Sequence, residues 1–376
     1  MPPLSLYIHF PWCIRKCPYC DFNSHAVKAG IPEQTYVTAL LADLEADLEL
    51  LPEARTIETI FMGGGTPSLF SPEALSALLA GLRERVAISE DCEITLEANP
   101  GTFESEKFKA YRQLGINRLS IGVQSFNDSH LQTLGRVHGA DEAKAAVAVA
   151  RNAGFDNLNL DLMFGLPQQS PDEMLHDIQL AVELNPTHLS FYQLTLEPNT
   201  YFHKYPPSLP EDDEIFAGQK RCQQWLADHG YRQYEISAYA QDGWQCRHNR
   251  NYWKFGDYLG IGAGAHGKIS QRLPGKIIRT AKSKKPEHYL AGSDIRSQTL
   301  IESSQLSLEF VMNHLRLRNG FSLADYSIAT GLPASSLEPA LSTCIEHGLL
   351  VEQQQRLFCT EKGWDFLDAV LEKFIP

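Results

Sequence analysis

Six short apolar segments alternate with longer amphipathic segments over the first half of this 376-residue chain. Helical patterns, with apolar residues every three or four positions, lie between them at 33–51, 71–86, 141–154 and 171–185. Strands that alternate with helices in this way form βαβ units, so the sequence predicts a parallel sheet. The predicted strands are LSLYIHF (4–10), TIETIFM (56–62), EITLEA (93–98), RLSIGV (118–123), NLNLDLMF (157–164) and HLSFYQLT (188–195).

Glycine, proline and polar residues follow nearly every predicted strand. In a barrel the carboxyl ends of all strands open on one mouth, so such residues converge there. An open doubly wound sheet would instead collect its ligand residues mainly at one switch point. The pattern therefore favours an α/β fold with a partial (β/α)6 barrel and a site at its mouth. The segments concerned are GGGTP (63–67), EANPG (97–101), GVQS (122–125), DLMFGLP (161–167) and TLEPNT (195–200).

The pattern changes after residue 200, which predicts three regions. Residues 1–200 form the partial barrel, and residues 201–299 extend it with a helix and an aromatic segment, YRQYEISAYA. Residues 300–376 read as a small helical domain of the winged-helix type. Its wing would be two short strands at 349–351 and 357–359.

Charge and composition exclude several classes of protein. A formal net charge of −13 argues against wrapping nucleic acid, and the most basic segment, 276–285, is expected to be a solvated loop. The amino terminus lacks the pattern of a secretory signal, and no apolar run reaches the 18 residues of a membrane helix. Five of the eight cysteines are scattered, which indicates reduced thiols and a cytoplasmic location.

The segment HFPWCIRKCPYCDF contains the remaining three cysteines, Cys13, Cys17 and Cys20. Three thiolates on one turn can bind a metal. A structural zinc ion needs a fourth ligand, for which His9 or His25 is available. A [4Fe–4S] cluster held by three thiolates keeps one iron open for an external ligand. Three cysteines buried as small apolar residues are the remaining alternative.

The spacing C-x3-C-x2-C, with Tyr19 before the last cysteine, resembles the signature of radical S-adenosylmethionine (SAM) proteins. The resemblance implies that the open iron binds SAM. One electron, from a donor such as a flavodoxin or ferredoxin, can then split SAM to a 5′-deoxyadenosyl radical. Within the radical SAM proteins, the chain resembles most the branch that contains oxygen-independent coproporphyrinogen III oxidase. The resemblance runs from residue 4 to about 270 and rests on the motifs YIHFPWC, FMGGGTPS, EANPG, SIGVQSF, LGRVHG and NLDLMFGLPQQ.

The same resemblance implies the residues that contact SAM. The glycine loop would bring its backbone amides to the amino group of SAM, acids would suit its ribose or sulfonium, and an arginine would suit its carboxylate. Taken singly, the glycines could form a plain turn, the acids could cap helices, the arginine could be a surface ion pair and the tyrosines could be core aromatics. The predicted SAM residues are Tyr7, Tyr19, Gly64, Gly65, Thr66, Glu97, Gln124, Arg136 and Asp161.

Two features separate the chain from the oxidase. Phe22 stands where the oxidase carries a further cysteine, and the chain begins almost at the first strand. The segment HNRNYW (248–253) resembles the H-N-x-x-Y-W motif of haem chaperones related to that oxidase. This resemblance implies haem contact by His248, with Cys246 and His266 as rival iron ligands. The alternative is that His248 and its neighbour only hold a loop together.

The resemblance therefore implies a haem chaperone that passes haem to respiratory acceptor proteins and carries a SAM-bound [4Fe–4S] cluster. Whether SAM is cleaved stays open. One alternative is an oxidase that acts on coproporphyrinogen III. Another is a zinc-stabilised binding module, which would remain colourless after reconstitution with iron and sulfide.

Overall fold

The computed structural model describes residues 1–28, 30–101, 106–292 and 296–375. Its strands are β1 (Leu4–Phe10), β2 (Trp12–Cys13), β3 (His25–Ala26), β4 (Ile57–Gly64), β5 (Ile88–Ala98), β6 (Arg118–Gln124), β7 (Asn157–Phe164), β8 (His188–Gln193), β9 (Arg232–Glu235), β10 (Ala238–Ala240), β11 (Asp257–Ile261), β12 (His266–Ser270), β13 (Ile277–Lys282), β14 (Arg296–Leu300), β15 (Leu350–Gln353) and β16 (Arg356–Cys359).

The α-helices follow the predicted amphipathic segments and add shorter ones. They are α1 (Glu33–Leu48), α2 (Pro72–Arg85), α3 (Phe108–Gln113), α4 (Asp128–Thr133), α5 (Ala140–Asn152), α6 (Pro171–Glu183), α7 (Tyr201–Lys204), α8 (Asp212–Asp228), α9 (Arg247–Trp253), α10 (Pro286–Ala291), α11 (Ser303–His314), α12 (Leu323–Thr330), α13 (Ala340–Glu346), α14 (Glu361–Asp365) and α15 (Leu367–Leu371).

The central sheet confirms the predicted fold class. Its middle contains β1, β4, β5, β6, β7 and β8 side by side in chain order, and every neighbouring pair is parallel. Sequential order with right-handed crossovers places the connecting helices on one face, as in a barrel and unlike a doubly wound sheet. We call the carboxyl ends of these strands the upper end and their amino ends the lower end.

Further strands extend the sheet at both edges. On one side β11 is parallel to β1, and β12, β13 and β14 continue the sheet in antiparallel fashion. On the other side β10 and β9 follow β8, again antiparallel. The region after residue 200 therefore supplies strands to both edges of the barrel sheet.

Successive side chains of a strand point alternately to the hydrophobic core beneath the helices and to the barrel interior. In β1, Leu6 and Ile8 are fully buried in the main hydrophobic core, where Leu40 and Leu44 of α1 also lie. Each such side chain contributes about 1.5–3 kcal/mol by its burial. The alternate positions of β1, such as Ser5, face the interior, where its hydroxyl accepts a hydrogen bond from Thr59. Polar strand residues are thus directed inward, towards any ligand.

Helix N-caps determine where the loops at the upper end give way to α2 and α6. Ser71 accepts a hydrogen bond from the Ala74 N–H, and Pro72 occupies the first turn of α2. Ser170 and Glu173 form a reciprocal capping box at the start of α6. These caps end the segments that follow β4 and β7, so the polar residues of those segments stay close to the strand ends.

The carboxyl-terminal residues build a second core. Phe310 of α11 packs edge-on against Phe321 and Tyr326, with ring centroids 5.2 and 5.3 Å apart. The strands β15 and β16 pair as a hairpin, which is the predicted wing. Leu350 and Leu357 of this hairpin are buried in the same core. The small helical domain with a two-stranded wing is therefore present.

The expectation of a solvated basic loop at 276–285 is wrong. Most of this segment forms β13 in the sheet, and the Lys282 ammonium is buried. It donates hydrogen bonds to the carboxylates of Asp43 and Asp47 on α1. A lysine can be buried when paired acids replace its lost hydration. Separately, no helix among the described residues has the length and apolarity needed to cross a bilayer.

Candidate cluster and SAM site

The upper end contains an open cavity of about 240 Å³ where most of the predicted site residues meet. We call it the upper cavity. All three cysteines of the amino-terminal motif line it, together with most of the residues predicted to contact SAM. The residues that it brings together are Cys13, Cys17, Tyr19, Cys20, Gly64, Gly65, Thr66, Glu97, Gln124, Arg136 and Asp161.

The cysteines lie on a loop, residues 13–24, that is fixed at both ends. Cys13 belongs to β2, which pairs with β3, and the Cys20 N–H donates to the Cys17 carbonyl in a tight turn. All three thiols are free and partly exposed, whereas the other five cysteines are buried. Burial raises the pKa of Cys13 and of Cys20. Three free thiols that face one cavity fit a cluster held by three cysteines.

Both candidates for a fourth zinc ligand, His9 and His25, make hydrogen bonds to groups other than the three thiols. The His9 ring accepts or donates at both nitrogens, 3.0 Å from the Tyr7 hydroxyl and 2.9 Å from the Asn23 carbonyl. His25 contacts the side-chain oxygen of Asn23 at 3.3 Å. Within the described ranges, no three His, Cys, Asp or Glu side chains surround a point where one metal ion could sit.

Arg136 brings a positive charge to the cysteine loop. Its Nη1 lies 3.7 Å from Sγ of Cys17, and its Nη2 donates to the Asn99 side chain at 2.6 Å and to the Gly122 carbonyl at 2.8 Å. The two oxygen contacts hold the guanidinium plane in place at the rim. A fixed cation here would stabilise both a thiolate and a ligand carboxylate.

The structure corrects the expected role of the glycine loop. The amides predicted to meet SAM are already used: the Gly64 N–H donates to Glu97, the Gly65 N–H to the Phe10 carbonyl and the Thr66 N–H to the Trp12 carbonyl. A Cβ on Gly65 would lie 2.6 Å from both of those carbonyl oxygens. Glycine is therefore needed so that the loop can pack against the segment leading to Cys13, and its carbonyls, rather than its amides, are the groups that can accept from an ammonium.

Two buried carboxyl groups face the cavity, Glu97 near the end of β5 and Asp161 in the middle of β7. Burial and, to a smaller extent, the nearby Asp161 raise the pKa of Glu97 to about 8. Burial also raises the pKa of Asp161, against hydrogen bonds from Ser120 at 2.9 Å and Asn159 at 2.8 Å. Two buried acids that line one cavity prefer a cationic ligand, because its charge replaces the water that burial has removed.

Glu97→Gln should change how stability depends on pH. A raised carboxyl pKa means that folded Glu97 keeps a proton that the unfolded chain releases above pH 4.5, so stability falls as pH rises to about 8. We expect the wild type to lose on the order of 3 kcal/mol more than the variant between pH 5 and pH 9, measured by urea unfolding. Parallel pH profiles for the two proteins would contradict the protonation of Glu97.

Two predicted aromatics lie at different depths. Tyr19 lines the upper cavity on the cysteine loop. Tyr7 lies deeper in the barrel, where its ring stacks on Phe61 with centroids 6.4 Å apart. Gln124 has a left-handed backbone (φ 73°) and accepts a hydrogen bond from Tyr192 at 2.9 Å. Of these residues, Tyr7 supports the site from below rather than lining it.

The H-N-x-x-Y-W segment lies at the other end of the barrel, in α9. The Glu93 carboxylate accepts from the backbone N–H groups of Arg247 and His248 and so caps this short helix beneath β5. Asn251 donates to Ser5 on β1. The helix therefore closes the lower end of the barrel.

His248 is enclosed in the interior of the barrel at its lower end. Its side chain is 1% exposed and packs against Phe61, and both ring nitrogens are occupied. Thr59 Oγ1 lies 2.8 Å from Nδ1, and the Tyr252 hydroxyl lies 2.9 Å from Nε2. Both ring nitrogens therefore have hydrogen-bond partners, one of which an iron atom would have to replace. The motif thus helps to hold the lower end together, and haem contact by His248 stays a prediction.

The two rival iron ligands occupy different environments. Cys246 is fully buried beside Glu93, with its Sγ 3.6 Å from that carboxylate. His266 is exposed at the start of β12, on the upper side of the sheet. Its pKa is lowered by partial burial and by the positive charges of Lys284 and Arg279.

Sequence reasoning missed several polar residues of the site. Ser120 and Asn159 hold Asp161, Asn99 holds Arg136, and Tyr192 holds Gln124. Ser120 and Asn159 precede Gly122 and Asp161 by two positions, which places them on the same face of their strands. The signal in the sequence that could have predicted Ser120 and Asn159 is the presence of polar residues at alternate positions of otherwise apolar strands.

Comparison with known proteins gives a consistent result. The model of the Radical SAM superfamily matches residues 7–181, and that of the HemN C-terminal domain matches residues 303–366. The solved structure of "Coproporphyrinogen III oxidase (HemN)" from Escherichia coli superposes with a TM-score of 0.83 and 23% identity, covering 99% of this chain and 90% of that one. This likeness shows that the two proteins share a fold.

Curated relatives extend over the full chain. A protein of Escherichia coli named "Heme chaperone HemW" is 49% identical, with 100% of this chain and 99% of that protein covered. A protein of Haemophilus influenzae with the same name is 48% identical over 100% of this chain and 98% of its own length. The chain therefore belongs to the HemW family of the radical SAM superfamily.

Proposed function

We propose that this protein binds haem and transfers it to acceptor haemoproteins such as respiratory enzymes, and that it carries a [4Fe–4S] cluster with bound SAM. The full-length similarity to proteins named haem chaperones carries the proposal, because it includes the barrel, the α9 segment and the carboxyl-terminal domain. The similarity to the oxidase structure is much lower, at 23% identity.

The upper cavity supports the cofactor part of the proposal. Cys13, Cys17 and Cys20 would hold the cluster, and its open iron would take the amino and carboxylate groups of SAM. When bound, the cluster can supply one electron to SAM. Around it, Glu97 and Asp161 offer acceptors for a cationic ligand, and the Arg136 guanidinium offers donors for a carboxylate. These roles follow from the donor types that face the cavity.

A coproporphyrinogen oxidase is the second candidate. Against it stands Phe22, at the place where the oxidase carries a further cysteine. This side chain lines the upper cavity and is 62% exposed, so an apolar ring occupies the position expected of a thiol. An assay of coproporphyrinogen III decarboxylation under reducing, anaerobic conditions distinguishes the two functions, since a chaperone leaves the substrate unchanged.

The exposed residues of the cysteine loop suit the docking of an acidic electron-donor protein, such as a flavodoxin or ferredoxin. Arg15 and Lys16 are exposed between the first two cysteines, next to the exposed side chain of Ile14. Cations around an apolar centre would favour an acidic partner and a short path to the cluster. We place this activity in the cytoplasm, because all eight cysteines are free thiols in the structure.

Haemin titration of the anaerobically reconstituted protein tests the proposal. We expect saturation at one haem per chain with a shifted Soret band, followed by transfer of that haem to an apo-haemoprotein. Serum albumin in place of the chaperone controls for passive release. Failure to bind haem specifically would contradict the proposed function.

Arg136→Gln should weaken SAM binding and leave the cluster in place. The variant removes the cation that lies beside the cysteine loop but none of the three thiols. Loss of a charged hydrogen bond corresponds to an affinity about tenfold or more lower. Equilibrium SAM binding and iron and sulfide content should both be measured. Arg151→Gln is a suitable control, because Arg151 bonds only to backbone carbonyls away from the cavity. Unchanged SAM affinity in Arg136→Gln would reject this role.

A further inference from the structure

The lower end of the molecule has an open cavity of about 1230 Å³, far larger than the upper cavity. We call it the lower cavity. The end of α9, the turn between β12 and β13, helix α11 and the hairpin β15–β16 contribute its walls. Pockets for organic ligands usually measure about 300–1,000 Å³, so this space can admit a macrocycle.

His314, at the end of α11, lines this cavity as a nearly buried side chain, 6% exposed. Its Nδ1 lies 3.1 Å from the Phe310 carbonyl and donates to it. No group among the described residues bonds to Nε2, so the lone pair of that nitrogen is unused. Burial lowers the pKa of His314 to about 4, which keeps the ring neutral. A neutral imidazole whose Nδ1–H is held by a carbonyl is oriented to bind a metal through Nε2.

Cations accumulate around this histidine. Among the described residues, six arginine and lysine side chains line the cavity against one carboxylate, Asp325, in a chain with a net charge of −13. Arg250 and Lys254 lie four positions apart on one face at the end of α9, and no ion pair is described for either. Burial and the charges of Arg250 and Arg356 lower the pKa of Lys254. Arg356 lies 3.8 Å from the Asp325 carboxylate and donates to two backbone carbonyls. Arg250 and Lys254 are therefore the pair whose like charges favour an anionic ligand.

Apolar side chains form part of the remaining walls, beside polar ones such as Gln271 and Gln353. Phe255 and Phe310 are buried with their rings edge-on, 5.5 Å apart. At the rim, Leu273 is 68% exposed and Ile328 is 76% exposed. Exposed large apolar side chains beside a cavity mark a surface that a ligand or a partner covers.

We propose that the lower cavity is where this protein carries haem, with Nε2 of His314 as an iron ligand and with Arg250 and Lys254 facing the propionates. The proposal rests on the proposed function and names the site for it. Haem combines one iron, an apolar ring and two carboxylates, which match the histidine, the apolar walls and the cations.

The location separates haem from the cluster. The cavity lies at the amino ends of the strands and the cysteines lie beyond their carboxyl ends. A strand of seven residues such as β1 spans about 20 Å. Haem in the lower cavity is therefore not in contact with SAM, so it is cargo and not a substrate of radical chemistry.

The test compares haemin with protoporphyrin IX, which lacks iron, on the reconstituted full-length protein. His314→Gln keeps a side-chain N–H for the Phe310 carbonyl but removes the nitrogen ligand. We expect a displaced Soret band and haemin affinity at least about tenfold weaker, with protoporphyrin affinity changed by less than about twofold. His266→Gln, at the upper end, is the control and should match the wild type.

A second variant tests the anion site independently of the buried histidine. Arg250→Gln combined with Lys254→Gln changes partly exposed side chains at the end of α9. It should weaken haemin and protoporphyrin alike by about tenfold and keep the wild-type Soret position. If the wild type binds haem, and both His314→Gln and the double variant bind it as the wild type does, the site assignment is overturned and the chaperone function stands. If the wild type binds no haem, the site assignment and the chaperone function are both contradicted.

Discussion

Cys17→Ala should leave the purified, reconstituted protein without iron and acid-labile sulfide, and without the brown colour of a cluster. Two remaining thiolates cannot hold a [4Fe–4S] cube, and the described surroundings of the cysteine loop contain no nearby thiol to replace the third. The loop itself should still fold, because its backbone is held by the pairing of β2 with β3.

The matched control is Cys222→Ala, which removes a buried cysteine far along the chain on α8. Iron and sulfide analysis and the dithionite-bleached absorption should be measured for both variants. Wild-type cluster content in Cys17→Ala would disprove the ligand assignment. The same variant also separates the two ends of the barrel: haem binding in the lower cavity should persist without the cluster.

The strands of the barrel could be predicted closely from the sequence. β1 and β7 have the predicted bounds, and β6 extends one residue beyond them, because apolar and polar residues alternate clearly there. β5 begins at Ile88, five residues before the predicted start. Its first part is polar and largely exposed, so the strand is set by pairing with a neighbour and not by its own periodicity.

Most of the upper site could be predicted because its residues lie in the strands or just after them, whereas Arg136 follows α4. Convergence at the mouth then needs only the barrel topology. The function of the glycine loop was harder to predict, since its amides bond to residues 10 and 12, about fifty positions away. A local motif reveals that glycine is required but not whether a ligand or another loop makes the close approach.

The lower end could not be predicted in the same way. His248 stands in a motif whose resemblance implies haem contact, yet it bonds to Thr59, 189 positions earlier. His314 lies in no recognisable motif, and its surroundings come from α9, α11 and the hairpin β15–β16 together. Only the packing of the carboxyl-terminal domain beneath the barrel reveals the cavity, and sequence periodicity carries no information on that packing.

Lys282→Met should destabilise the fold by about 3–5 kcal/mol at pH 8, because it leaves two buried carboxylates without their shared cation. The Lys282 ammonium is buried between Asp43 and Asp47, and only Arg296 remains near Asp47, at 3.0 Å. Burial already raises the pKa of Asp47 in the wild type. Without Lys282 that pKa should rise further.

The dependence of this loss on pH shows its origin. Carboxyl groups with a raised pKa take up a proton in the folded state, so the defect of Lys282→Met should be smaller at pH 5 than at pH 8. Lys284→Met, which changes an exposed lysine two positions away, should stay within about 0.5 kcal/mol of the wild type. Unfolding free energies from urea titration at both pH values decide the matter. An equal loss at pH 5 and pH 8 would mean that Lys282 contributes packing and not charge, because only the charge contribution depends on the protonation of Asp47.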